Sequence, residues 1–481
     1  MGYTDFYKVG YMKYDFDLIC IGLGPAGMAV SVMGAEMGLR VCAIEKNKVG
    51  GECMNVGCIP SKSLLSISKF RHSSLKLEEM GLLDGIIPNV KSPFSKINDY
   101  IGYINDKKTM KMFKKVNLIV GKGSAGFVNS HTVRVGKKDI TAQKIFIATG
   151  TEPAIPPIDG ISDIETLDNT NIFNLKKVPV SMTIIGGGSM GCEMAQAFTR
   201  LGTKCTIIHM DKHLVPAGDK EASELIEDVF AKAGIEVYNA KKITRVEQGN
   251  DAVTLLTEDG ISIKSEKLLI AAGRVVVLNE LKLDNAGVKY SKQGIKVDTK
   301  YRTSRKHIYS VGDCNGGIML SHAAMHQGMF AIMNAVSPFA MFRYKNYVIP
   351  WTVFTEPQVS YVGMLEEDIK KKGISYETHI VKYEDYGAAI AENIDIGFVK
   401  VFTNYSGKIF GVCIVGDGSG EMINEWALII QKKIRMHSVL FLAHSFPSMG
   451  FLSKRVAETW VMAKMDSPKI QKLCKFFFRK V

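Results

Sequence analysis

Gly50-Gly51-Glu52-Cys53-Met54-Asn55-Val56-Gly57-Cys58-Ile59-Pro60-Ser61-Lys62 holds two cysteines with four residues between them, and the chain runs on as a helix through Ser63, Leu64 and Leu65. The spacing is wrong for a zinc knuckle and no matching second pair follows, so no metal site is expected. It suits a disulfide that closes across one helical turn. The thiolate is the reactive form of such a pair, and a helix start or a nearby cation favours it by stabilising negative charge. On these residues alone, Cys53 and Cys58 are either a redox-active pair or two unpaired structural cysteines. The sequence on both sides of them supplies the context.

Upstream, Asp17-Leu18-Ile19-Cys20-Ile21 has the pattern of a buried strand and leads into Gly22-Leu23-Gly24-Pro25-Ala26-Gly27, then a helix of small residues. This is GxGxxG between a strand and a helix. The glycines permit a tight turn and let backbone approach a pyrophosphate, which rests on the helix N-terminus. The next strand, 40–44, ends at Glu45-Lys46, with Glu45 placed 18 residues after Gly27. An acid there accepts hydrogen bonds from a ribose hydroxyl.

Downstream, residues 66–115 read as mainly helical, with lysines on solvated faces. Strands are expected at 116–120 and 128–135, around a turn at 121–126. Lys144 to Ile147 is another buried strand, ending in Ala148-Thr149-Gly150, and 151–160 reads as a linker. A second copy of the first unit follows. Its strand is 182–185, its turn is Gly186-Gly187-Gly188-Ser189-Met190-Gly191, its helix carries Glu193 and Arg200, and its second strand is 205–208. Again 18 residues separate the last glycine from the strand end, but the occupant is His209. Two such units imply two dinucleotides; the alternative for the second is a vestigial fold. Residues 233–272 alternate as strands and lead to Gly273-Arg274. A strand from Ile308 ends in Gly312-Asp313, and Ser321-His322-Ala323-Ala324 opens a helix. From Pro350 onward, strands such as 397–403 and 408–415 alternate with helices at 365–372 and 420–434, the texture of a separate α+β domain.

A chain of 481 residues suits about three domains. With 46% hydrophobic and 23% charged residues it is globular. The net charge of +13 fits either a nucleic-acid or membrane partner, or affinity for anionic dinucleotides plus a basic tail. No nucleic-acid-binding motif appears, so nucleic acid is not an expected partner. Nine cysteines without a secreted framework point to a reducing, cytoplasmic setting. Neither a signal peptide nor a membrane-spanning run is expected.

From about residue 15 to 463 the chain resembles the pyridine nucleotide–disulfide oxidoreductases, the family of dihydrolipoamide dehydrogenase, glutathione reductase and mercuric reductase. The resemblance rests on Gly22–Gly27 with Glu45, Gly50–Lys62, Ala148-Thr149-Gly150, Gly186–Gly191, Gly273-Arg274 and Val311-Gly312-Asp313. It implies an α/β fold with two Rossmann-like dinucleotide-binding domains and a C-terminal α+β dimerisation domain. The implied layout is an FAD domain in two segments (1–155 and 277–347), an NAD(P) domain (156–276), a dimerisation domain (348–467) and a basic amphipathic tail (468–481). It also implies roles. Cys58 is the thiol nearest the flavin, and Cys53 is the interchange thiol that meets the acceptor. Lys62 lies near the flavin and pairs with Glu193. Gly51 and Glu52 line the flavin site, Asp313 holds its ribityl and pyrophosphate region, and the backbone at His322-Ala323 faces its ring.

The sequence departs from that family at the outlet. Relatives that reduce disulfides usually end in His-Pro-Thr, with an acid three residues after the Thr. That His comes from the partner subunit and shuttles protons, oriented by the acid. Here the stretch is His444-Ser445-Phe446-Pro447-Ser448-Met449-Gly450-Phe451. Phe446 takes the position of the base and Phe451 that of the acid, and neither carries a proton. His444 lies two residues upstream, with no orienting acid expected for it. A pair of C-terminal cysteines serves mercuric reductases, but only Cys474 stands near this C-terminus.

The expected function is therefore that of a homodimeric FAD enzyme. It passes electrons from NAD(P)H through Cys53–Cys58 to a metal ion, a quinone or another small acceptor rather than a simple disulfide. Two alternatives remain: a dihydrolipoyl dehydrogenase with His444 as displaced base, and a flavoprotein sensing module with little turnover. NADH is favoured over NADPH, because Met210 and Pro216 stand where NADP-specific relatives often carry Arg, while Lys212 and His213 are the residues left to meet a 2′-phosphate. On a helical tail, Ile470, Leu473, Cys474, Phe477 and Val481 share one face, and Lys469, Lys472, Arg479 and Lys480 lie largely on another. Peripheral membrane contact, packing on the dimer or a frayed end, and a thiol relay through Cys474 are the readings of that tail.

Overall fold

The computed structural model describes residues 14–74, 77, 80–82, 89–337 and 347–479. The polar leader, part of the expected helical region 66–115, and Lys480 and Val481 of the tail lie outside them. The chain forms two compact units, one of residues 1–60, 96–152 and 274–345, the other of 61–95, 153–273 and 346–481.

The first unit is built on a sheet whose parallel strands run in the order Asn117–Val120, Val41–Glu45, Phe16–Ile21, Lys138–Ile147, with Ile308–Ser310 also parallel to the last. Val41–Glu45, most of Phe16–Ile21 and the last residues of Lys138–Ile147 are buried apolar runs, as expected of parallel strands covered on both faces. Ile19, Ile21, Ile44, Ile145, Ile147 and Ile308 share one core. The helix Pro25–Glu36, rich in small residues, lies against the helix Ser321–Val336, where Gly328 meets the backbone of Ala26 closely enough to exclude any side chain.

The expected strand 128–135 is instead the two arms of a hairpin, Ala125–Asn129 and Thr132–Val135. The side chain of Asn129 accepts from the N–H of His131 at 2.9 Å, an Asx turn that reverses the chain where its apolar alternation continues. The second arm pairs with Lys138–Ile147, which begins six residues earlier than the apolar run at 144–147 suggests.

Three sheets organise the second unit. Strands Glu236–Tyr238, Lys204–Ile208, Ser181–Ile185 and Lys267–Ile270 form a parallel sheet in that order, with an antiparallel three-stranded sheet spanning 243–265. The C-terminal sheet is antiparallel, in the order Trp351–Val353, Val359–Gly363, Ile409–Val415, Phe398–Thr403, Glu377–Lys382. Helices Ser419–Gln431 and Phe451–Met465 bury Trp426, Ile423, Leu452 and Val456 against it. Lys400, on a central strand of this sheet, is buried against Asp219, the N-cap of helix Lys220–Lys232, at 3.0 and 3.1 Å. Asp219 also caps that helix by accepting from the N–H groups of Glu221 and Ala222. One carboxylate thus starts that helix and neutralises a lysine of the C-terminal sheet. Among the described residues no helix is long and apolar enough to cross a membrane.

Candidate active site

The two glycine loops are built alike. Gly22 and Gly186 have φ of +93° and +119°, a conformation that L side chains rarely adopt. A Cβ at Gly27 or Gly191 would collide with the carbonyl oxygen of Gly22 or Gly186, so each loop closes on its own helix. Gly24 and Gly188, by contrast, face open space, and they N-cap the helices Pro25–Glu36 and Ser189–Arg200 with no side-chain cap on either. Uncapped N–H groups beside an open cradle are what a pyrophosphate needs. Both loops therefore fit a dinucleotide.

In the first loop Glu45 is buried and held by backbone. Its Oε2 accepts from the N–H of Leu23 and its Oε1 from that of Asn47, each at 2.8 Å. The neighbouring Lys46 lies 3.4 Å from Glu152 on the surface.

The cysteine stretch is fixed directly to this loop. The N–H of Gly50 donates to the carbonyl of Leu23 at 2.8 Å, and a Cβ on Gly51 (φ +56°) would reach 2.8 Å from Cα of Gly24. Asn55 ties the short helix Gly51–Asn55 by donating to the carbonyls of Gly51 and Val49. Cys58 then opens the helix Cys58–Ser73, with Lys62 one turn further along it. The sulfur of Cys58 and burial together push the Cys53 thiol far above the ordinary thiol range. The Sγ of Cys58 lies 3.2 Å from the hydroxyl of Ser321 at the start of helix Ser321–Val336. Of the nine cysteines only Cys53, Cys58 and Cys474 are accessible; the other six are buried.

A network missing from the sequence reading joins the remaining motifs of this unit. Arg274 donates from Nε to the hydroxyl of Thr151 at 2.7 Å and from Nη2 to its carbonyl at 2.8 Å, and pairs through Nη2 with Glu52. The hydroxyl of Thr151 in turn reaches Asp313 at 3.4 Å. Burial raises the Asp313 carboxyl, and Arg274 only partly offsets this. An acid held toward its neutral form suits hydrogen bonding to hydroxyl groups better than it suits a standing charge beside phosphate. Thr151 follows Ala148-Thr149-Gly150 directly, and that adjacency was its only signal. Ala148 backs the turn of the first loop: a Cβ on Gly22 would strike its carbonyl. Ala323 is buried and His322 exposed on the helix that Ser321 begins.

In the second unit, Nζ of Lys62 lies 2.8 and 3.0 Å from the two carboxylate oxygens of Glu193, a buried residue of the helix after the second glycine loop. The N–H of Phe354 also donates to Glu193 at 3.0 Å, and the Lys62 ammonium sits over the Phe354 ring at 4.6 Å. Phe354 carried no sequence signal. His209 is buried, its ring against the backbone of Gly187. Its Nε2 lies 2.6 Å from Oδ1 of Asn239, whose amide donates to Glu227 at 3.0 Å. The carboxylate of Asp211 is 3.9 Å from Nδ1 of His209, so an acid does stand beside this loop, two residues beyond the expected position.

At the outlet, Phe446 is 70% exposed. It packs edge-on to Phe451 (centroids 5.3 Å), which stacks on Tyr386 (6.1 Å), and the Tyr386 hydroxyl donates to the carbonyl of Ser448 at 3.0 Å. The expectation that His444 lacks an acid is corrected. Glu425, on helix Ser419–Gln431, lies 3.0 Å from its Nε2, while Nδ1 faces the carbonyl of Leu442 at 3.2 Å. Sequence reading missed this acid because it sits a full element upstream rather than in the loop.

Residues 16–328 match the family model of pyridine nucleotide-disulphide oxidoreductases, and 349–454 match that family's dimerisation domain. The chain belongs to this family of flavoprotein enzymes, whose members use FAD and NAD(P)H, and its dimerisation domain indicates a homodimer. It is 32% identical to dihydrolipoyl dehydrogenase of Geobacillus stearothermophilus over 464 residues, 94% of this chain and 97% of that one. It is 31% identical to mercuric reductase of Bacillus cereus over 425 residues, 87% of this chain and 67% of that one. Among solved structures, the HOCl-induced flavoprotein disulfide reductase RclA from Escherichia coli superposes with a TM-score of 0.83 at 25% identity, covering 93% of this chain and 99% of that one.

Proposed function

We propose that the protein takes electrons from NADH, cycles Cys53–Cys58 between disulfide and dithiol, and delivers the electron pair to an acceptor that is not a simple disulfide, such as a quinone or a soft metal ion. When bound, FAD supplies the two-electron relay between nicotinamide and sulfur. The chain's own residues do the rest. Two electrons and two protons break the S–S bond, and the acceptor's withdrawal of those electrons closes it again. Cys53 holds its proton firmly, and the Cys58 sulfur lies beside the Ser321 hydroxyl. Lys62, neutralised by Glu193 and covered by the Phe354 ring, presents a fixed cation one turn from Cys58. Gly22, Gly24, Gly27 and Glu45 would hold the flavin nucleotide, and Gly186, Gly188 and Gly191 the nicotinamide nucleotide.

The observation that carries this reading is the outlet. Phe446 moves no proton, and His444, two residues away, is held between Glu425 and the carbonyl of Leu442. Losing a positioned acid or base costs about 10²–10⁴-fold in rate, a loss that acceptors needing little proton traffic avoid. For the nucleotide, Asp211 beside His209 disfavours a 2′-phosphate and supports NADH. Six cysteines buried singly, with no structural bridge among them, support a cytoplasmic setting.

The test is a steady-state comparison of lipoamide, glutathione disulfide, a benzoquinone, Hg(II) and Cu(II) with NADH and NADPH as donors. At least tenfold higher kcat/KM for a quinone or metal ion supports the proposal; faster lipoamide turnover overturns it. A second reading, a dihydrolipoyl dehydrogenase driven from His444, draws on Glu425 as the orienting acid and requires that His444→Ala abolish lipoamide turnover.

A further inference from the structure

We propose that the C-terminal helix Pro468–Phe478 attaches the enzyme reversibly to an anionic lipid surface. None of its residues is buried; Leu473, Phe476 and Phe477 are more than half exposed, and Phe478 is 88% exposed. At 100° per residue, Ile470, Leu473, Cys474, Phe477 and Phe478 fall in one arc, and Lys472, Lys475 and Arg479 in the opposite one, with Lys469 and Phe476 on its flank. The helix carries no acid. Met462 and Met465 are exposed at the end of the preceding helix.

Two facts point to lipid rather than to a second copy of the chain. The match to the family's dimerisation domain ends at residue 454, before this helix begins. A wholly basic helix approaching a copy of a chain with net charge +13 also meets repulsion, whereas anionic headgroups attract it. Phenylalanine rings sink to the acyl boundary while lysines stay at headgroup level. A single short helix of this kind gives reversible binding that salt weakens.

The test is co-sedimentation of the FAD-loaded full chain with vesicles of phosphatidylglycerol and phosphatidylcholine (1:1), and with phosphatidylcholine alone. Binding to the mixed vesicles at 0.1 M salt, at least tenfold weaker on pure phosphatidylcholine or at 0.5 M salt, is expected. The pairs Lys472→Glu with Lys475→Glu, and Phe477→Ser with Phe478→Ser, should each weaken it at least tenfold while NADH oxidation and dimer mass stay unchanged. No binding, equal binding to both vesicles, binding unaltered in both variants, or variants that shift the mass to monomer would each overturn the proposal.

Discussion

Nε2 of His444 is 3.0 Å from Oε1 of Glu425, and Nδ1 of the same ring is committed to the carbonyl of Leu442. The ring therefore acts as a clamp between helix Ser419–Gln431 and the loop that presents Phe446. His444→Ala should lower stability by about 1–2 kcal/mol, as for a partly exposed charge-assisted hydrogen bond, and leave turnover with a quinone or metal ion within about threefold. Denaturant midpoints and initial rates check both. A selective loss of lipoamide turnover by about 10² or more would make His444 a base after all.

Phe446 and Phe451 stand where a base and its acid would complete the outlet. Phe446→His combined with Phe451→Glu should raise lipoamide or glutathione disulfide turnover at least tenfold, within the 10²–10⁴ range of positioned acid–base catalysis. Phe446→His alone should gain less, because the new imidazole has no partner to fix its orientation. Parallel assays of the single and double variants decide, and no gain in either would place the limitation elsewhere.

The Cys58 sulfur is the first cause of the raised Cys53 thiol, with burial second. Cys58→Ser removes the first and leaves the second. In that variant the Cys53 pKa falls toward its ordinary value, so at pH 8 more of it is thiolate. Cys53 should then be alkylated by iodoacetamide several-fold faster than in the reduced wild-type protein, as read by peptide mass spectrometry. An unchanged rate would assign the shift to burial alone.

Lys400 and Asp219 are both buried. Burial pulls the Lys400 ammonium down, but Asp219, with Glu221 behind it, outweighs this and raises it above its ordinary value of 10.5. A raised lysine contributes stability that is full below 10.5 and is lost as pH climbs through the higher folded value. Lys400→Met should thus cost about 3 kcal/mol at neutral pH, since it strands a buried carboxylate. The gap to wild type should close only in strongly alkaline solution. Urea midpoints at pH 7 and above pH 11 test the sign.

Much of this architecture was legible because its signals are local. A glycine that must adopt positive φ, or must admit a neighbouring carbonyl, leaves a fixed spacing, and Gly22–Gly27 and Gly186–Gly191 each do. The cysteine stretch was legible for the same reason. What escaped is long-range: Glu425 reaching His444, Thr151 bridging Arg274 and Asp313, Phe354 covering Lys62. Those pairings depend on how separate elements pack, which no spacing in the chain encodes. The hairpin at 125–135 escaped differently, since a tight Asx turn leaves the apolar alternation almost unbroken.

Six sulfurs lie out of reach in the interior and three do not. Among the cysteines, thiol-reactive agents arriving from solution therefore meet Cys53, Cys58 and Cys474. Damage to the first two would be self-repairing at the sulfenate stage, because each has a neighbour able to condense with it. Cys474 has no such companion on its helix. A fluorophore-maleimide added to the oxidised protein would accordingly mark that helix alone, without removal of any native cysteine.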